Sequence, residues 1–152
     1  MRGVRGGLTA VACCLAIGCS GSGSGSVDPL GGVGEGTAAR LCQGFFADAD
    51  AVRNARNQVT PDALDLAARG YETRAVDARS GGAKAFASTL MDASGAVHAL
   101  AQSSRSALAS GASGTTAGQS ASMAPFLTIA TRLQLAEARI SLACYSRGYT
   151  RP

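Results

Sequence analysis

From Leu41 onward, apolar residues recur along the chain at steps of three and four. Leu41, Phe45, Ala49, Val52 and Val59 fall on one helical stripe, while Asp48, Asp50, Arg53 and Arg56 stand mostly off it. That period predicts a first amphipathic helix from Thr37 to Gln58, with Thr37 as N-cap behind a Gly-rich stretch. Thr60-Pro61-Asp62 predicts a second start. Proline suits a first turn, and an acid there complements the helix macrodipole. Leu64, Ala67, Tyr71, Ala75 and Ala78 share the inner face of this second helix, and Ser80-Gly81-Gly82 ends it. A third helix is predicted over 83–110, with Phe86, Leu90, Ala93, Val97, Leu100, Ser104 and Leu108 as its stripe. Gly95 weakens it by about 1 kcal/mol relative to Ala. GASGTTAGQS, residues 111–120, reads as a polar loop with nothing to bury. The fourth helix is predicted over 122–147, with Pro125 confined to its first turn. Phe126, Ile129, Leu133, Ala136, Ile140 and Ala143 make its stripe. No segment reads as a strand.

Four amphipathic helices with short or polar connections predict an all-α domain, an antiparallel up-down four-helix bundle. The cysteines supply a separate argument. Cys42 falls in the second turn of the first helix and Cys144 in the last turn of the fourth. A disulfide needs its two Cα atoms within about 7 Å. The up-down topology brings these two ends together. Merging the first two helices would separate them, and Pro61 opposes that merger. The expected fold is therefore a bundle closed by one disulfide, Cys42–Cys144. There is no Trp, and Ala fills much of the expected core. Small domains with thin cores are commonly stapled in this way.

The N-terminus follows a different pattern. MRGVRGG carries two arginines and no acid, and an apolar run follows from Leu8 to Ile17. This is the layout of a secretory signal peptide. The run is shorter than the roughly 20 residues a membrane span requires. An exported chain without a transmembrane segment is expected. Ala16-Ile17-Gly18-Cys19 resembles the lipobox of bacterial lipoproteins. Gly18 fits the small residue before the cut, Ile17 fits the next position back, and Ala16 stands where the family most often has Leu. The resemblance covers about the first 20 residues. It implies cleavage before Cys19, a diacylglycerol on its sulfur, and attachment of the mature chain to the outer face of a cell membrane. Cysteine accounting agrees: Cys13 and Cys14 lie inside the apolar run, Cys42 pairs with Cys144, and Cys19 is left over. The SGSGSGS run behind it behaves as flexible coil, with a reach of about 20–25 Å for residues 20–36. The expected organisation is a signal peptide over 1–18, a lipidated Ser/Gly-rich tether over 19–36, a helical domain over 37–147 and a tail over 148–152. Tyr145, Arg147, Tyr149 and Arg151 alternate near the end and read as a frayed terminus.

Charge and motifs narrow the function classes. The net charge of +4 falls to +2 without Arg2 and Arg5. The remaining basic residues are scattered, so the clustered basic face that nucleic acid requires is lacking. Lys84 is the one lysine among arginines, and Ala is abundant. With the lipobox, this coding bias points to a GC-rich actinobacterium. Gly34-Glu35-Gly36-Thr37-Ala38-Ala39 matches G-x-G-x-x-A, but a dinucleotide fingerprint needs a preceding strand. There is no G-x-S-x-G elbow. Asp48 and Asp50 point to different sides of a helix, and Asp62 and Asp65 fit a helix start. His98 is the single histidine and reads as a half-exposed boundary residue. No catalytic residue, cofactor or metal ligand set is read. The expectation is a non-enzymatic envelope lipoprotein, a tethered interaction module for an envelope protein. The alternative is a carrier of haem or another apolar ligand, held near His98, Met91 and Tyr71. A carrier needs a cavity of roughly 300 Å3 or more.

Overall fold

A computed structural model describes residues 28–58, 60–110 and 116–152. It contains α1 (Glu35–Gln58), α2 (Pro61–Ser80), α3 (Lys84–Ser110) and α4 (Thr116–Tyr145). No strand occurs among the described residues. α2 packs against α1 and α3; α4 packs against α3 and, more sparsely, against α1. Cross-helix pairs give the directions. Along α1 and α2, Gly44 faces Arg74 and Asp48 faces Gly70. Along α2 and α3, Glu72 meets Ser94 and Asp62 meets Arg105. Numbers fall on one helix as they rise on its neighbour, so each of these pairs is antiparallel. The Cys42–Cys144 disulfide joins the start of α1 to the end of α4, with the two Cα atoms 5.6 Å apart. This all-α, disulfide-closed arrangement is compatible with the up-down topology.

The inner stripes pack as their spacing predicts. Leu41, Phe45, Ala49 and Val52 of α1 are buried, as are all five stripe residues of α2. Phe45 lies between Phe46 and Tyr71, its ring 5.4 and 6.0 Å from theirs. Such offset aromatic contacts add to the gain from burial itself. Ala68, Ala78, Ala87, Ala93 and Ala101 fill the spaces between helices. At the α1–α2 seam two glycines leave room for an ion pair. A Cβ on Gly44 would fall 1.9 Å from Arg74 Nη1, and one on Gly70 would fall 2.8 Å from Asp48 Oδ1. The Arg74 guanidinium therefore lies across Gly44 and reaches Asp48, Nε to Oδ2 2.8 Å. Arg74 is thus part of a half-buried pair and not of a solvated face.

The starts of α1 and α4, and the exposure of some stripe positions, differ from the pattern-based reading. α1 begins at Glu35, so Thr37 sits inside the helix, and the Gly34 carbonyl accepts the first amide hydrogen bonds. α4 begins at Thr116, within the predicted loop; residues 111–115 lie outside the described part, as does Val59. Pro125 is consequently interior to α4 and not in its first turn. It is exposed, so water can take the carbonyl that the ring deprives of its amide partner. Lastly, α3 and α4 are longer than α1 and α2, and Leu108 at the α3 end is 63% exposed although its spacing places it on the inner stripe. Residues ahead of Thr37 are also packed: Leu30 and Val33 are buried.

Candidate functional site

The end of the bundle nearest Cys42 is fastened by the two ends of the described chain. Leu30 and Val33 are buried in the core. The Leu30 amide donates to Asp28 Oδ1 at 3.0 Å, which folds the segment into a turn. Arg147 then spans the segment: Nε donates to Asp28 Oδ2 at 3.0 Å and Nη2 to the Leu30 carbonyl at 2.8 Å. The hydrogen bond from Arg147 holds the Asp28 carboxyl below its ordinary range. Gly148, at φ +80°, turns the chain here, a conformation that favours glycine. Tyr149 donates its hydroxyl to the Glu35 carbonyl at 3.0 Å. Arg151 reaches Asp50 at 2.9 Å, and Tyr145 stacks on Phe46 with centroids 5.6 Å apart. The tail read as frayed is a strap. Its alternation sets Arg147 and Tyr149 on the N-terminal segment and Tyr145 and Arg151 around Phe46.

A second cluster bridges α2 and α3. His98 Nδ1 lies 2.8 Å from Asp65 Oδ1, and its Nε2 lies 3.1 Å from Glu72 Oε1. Ser94, buried, donates to the same Glu72 oxygen at 3.1 Å. Arg105 pairs with Asp62 and Asp65. A ring with a carboxylate at each nitrogen is best served by the imidazolium, which donates from both. The pKa of His98 is accordingly raised, first by the hydrogen bond to Asp65, and that of Asp65 is lowered, first by His98 and then by Arg105. The signs fix a pH window. The His98 contribution is complete below its unfolded value near 6.5 and is lost as pH rises through its folded pKa. The Asp65 contribution is complete above its unfolded value near 3.8 and is lost as pH falls through its folded pKa. His98→Gln should lower stability by about 1 kcal/mol at pH 5–6, the upper range for such partly exposed pairs. It should also flatten the fall of Tm as pH rises above about 6.5. Thermal melts across pH test this, and an unchanged Tm profile in the variant would refute the assignment.

Glu137 of α4 forms the third polar feature. Tyr71, fully buried, donates its hydroxyl to Glu137 Oε1 at 2.8 Å. Burial raises both pKa values, so Tyr71 keeps its proton as the donor. The Tyr71 and His98 groups on which a haem carrier would depend are thus engaged with carboxylates. A furrow of about 360 Å3 runs openly between α1 and α2. Small residues line it, Ala51, Ala55, Ala63, Ala67 and Gly70 among them, and neither His98 nor Tyr71 does. Among the described residues, no group of three His, Cys, Asp or Glu side chains is placed to hold a metal ion. No described helix is long and apolar enough to cross a membrane.

One helix face is apolar and exposed. α4 buries Leu133, Ala136, Ile140 and Ala143, yet Leu127, Leu135 and Leu142 on its far side are 60%, 55% and 70% exposed. A helix apolar on more than one side is normally buried all round. Sequence reading followed the inner stripe only. The outer leucines, seven and eight residues apart, were the available signal.

Of the residues singled out from sequence, Cys42 and Cys144 are brought together as a disulfide. Cys19, the signal peptide over 1–18 and residues 19–27 of the tether lie outside the described residues, whereas 28–36 are described, with Leu30 and Val33 buried. The Gly34–Ala39 stretch opens α1 behind a turn, with no strand among the described residues before it. Fold and surface together define a disulfide-closed helical module whose prominent feature is a face and not a cleft. No family model, curated protein or solved structure matches the chain.

Proposed function

We propose that this chain is a non-enzymatic lipoprotein of the bacterial cell envelope, an interaction module tethered to the outer face of the membrane through Cys19. The observation that carries the interaction role is the exposed apolar face of α4, Leu127, Leu135 and Leu142. Contiguous exposed apolar surface on a small domain marks a contact site more often than chance. The lipid anchor rests on the resemblance of Ala16–Cys19 to a lipobox and on the Ser/Gly run that follows. The fastened segment at Asp28–Val33 supports it, because a tether reaching the domain there would meet a fixed point and not a loose helix end.

Two measurements test the two halves. Detergent partitioning of the wild type against Cys19→Ala should move the variant from the detergent to the aqueous phase; identical partitioning removes the anchor. Photo-crosslinkers installed at Leu135 and at exposed Lys84 should differ, with discrete adducts in intact cells from Leu135 alone. Equal labelling from both positions, or none from either, removes the interaction role.

A further inference from the structure

The outer face of α4 has the spacing of a coiled-coil seam. Ala124, Thr128, Thr131, Leu135, Ala138 and Leu142 follow one another at steps of four and three, and all six are exposed; the next position, Tyr145, turns back onto Phe46. The stripe extends over about 27 Å of helix at 1.5 Å per residue. Alternating steps of four and three are the pattern that keeps one seam facing a partner helix. The two threonines do not interrupt it, because each spends its hydroxyl on its own helix: Thr128 on the Ala124 carbonyl at 3.1 Å, Thr131 on the Leu127 carbonyl at 2.9 Å. No seam position is charged.

From this geometry we propose that α4 mediates a parallel homodimer, its outer seam packing against the same seam of a second copy. The inference rests on the reading of this face as an interaction surface. One observation selects a second copy. A two-fold axis sets a surface against itself, and an uncharged seam does so without bringing like charges together. The flanks then select the direction. On one flank stand Arg132 and Arg139; on the other stand Leu127, Gln134 and Ser141. In a parallel pair each flank faces the opposite flank of its partner, so the arginines meet Leu127 and Gln134. In an antiparallel pair like flanks meet, and Arg132 and Arg139 would oppose arginines. Parallel pairing also puts both Arg147–Asp28 clasps at the same end. Both N-terminal segments then leave toward the same side, as two copies anchored in one membrane require.

The experiment uses the full exported chain carrying Cys19→Ala. Sedimentation should give a concentration-dependent dimer, and Leu135→Glu with Leu142→Glu should weaken it at least tenfold while the helical circular dichroism stays unchanged. Thr131→Cys and Ala138→Cys, each alone, should both crosslink under mild oxidation, and exposed Gly95→Cys on α3 should not. An antiparallel axis can bring only one of the two α4 positions against itself, so crosslinking at one alone overturns the proposal. A chain that remains monomeric also overturns it. If the photo-crosslinker at Leu135 still captures a different protein, the interaction role stands without the second copy. If the seam becomes protected only when phospholipid vesicles are added, the face belongs to a lipid surface and the dimer is again excluded.

Discussion

Replacing Cys42 and Cys144 together by Ala should cost about 2–5 kcal/mol of stability, the range found when small exported domains lose a native disulfide. Three features place this variant among the most damaging available. The bond closes a separation of 102 residues, and in the chain-entropy account a loop of about 100 residues gives about 4–5 kcal/mol. Both cysteines are fully buried, so Ala leaves no stranded polar atom, although it does leave space. Above all, α4 packs sparsely on α1, and the bond is the covalent closure of that side. The expected result in urea is a lower midpoint. On heating, Tm should fall by roughly 4–8 °C for each kcal/mol in a domain of this size. Loss should be uneven in hydrogen exchange: amides at the α4 end and in residues 28–34 should exchange faster, while the α2–α3 pair keeps its protection. A wild-type chain in which both thiols are alkylatable without reductant would remove the basis of the prediction.

Much of the architecture was legible because burial in a helix leaves a period. Five of the six buried positions of α2 could be named from Leu64 to Ala78, Ala68 being passed over, and Pro61 fixed where that helix starts. The disulfide was legible for a different reason: topology and cysteine position constrain each other. Three things were not legible. The exposed end of α3 kept a regular stripe through Leu108, but a stripe says nothing of how far the neighbouring helices extend to cover it. α4 carries apolar residues on two faces, and a search for one stripe returns the inner one and passes over Leu135 and Leu142. The clasp joins residues 119 apart, Asp28 and Arg147, and such a pair has no local pattern. Its traces were slight: Asp28 is the first charge after Arg5, and the last residues alternate Tyr and Arg. Those traces set no partner, because pairing of the two chain ends follows from the bundle having already brought them to one place.

Breaking the clasp is expected to have the other large effect, and the form of that effect tests how it works. Leu30 is fully buried, and truncation of a buried leucine to Ala typically costs 2–5 kcal/mol. Arg147→Ala removes a charged pair that is only partly buried, which alone would contribute about 1 kcal/mol or less. It also removes one of the two donors to the Leu30 carbonyl, which keeps the hydrogen bond from the Val33 amide, and the net loss of a hydrogen bond costs about 1 kcal/mol. The turn at Asp28–Val33 is then no longer tied to the end of α4, and wherever it leaves the core the burial of Leu30 and Val33 is lost. Arg147→Ala should therefore cost about 1–2 kcal/mol, more than its ion pair accounts for. The double variant with Leu30→Ala should cost less than the sum of the singles, because residues in contact couple. Urea denaturation of the four proteins gives the coupling directly, and strictly additive losses would refute it. Acid supplies a second readout. The lowered pKa of Asp28 means that its contribution is complete above about 3.8 and is lost as pH falls through the folded value. Arg147→Ala should erase that part of the acid dependence, whereas Leu30→Ala should retain it for as long as the segment stays docked. A difference between the two variants in acid would show that the charged pair holds the turn and the turn holds the leucine, which is the order of causes the geometry implies.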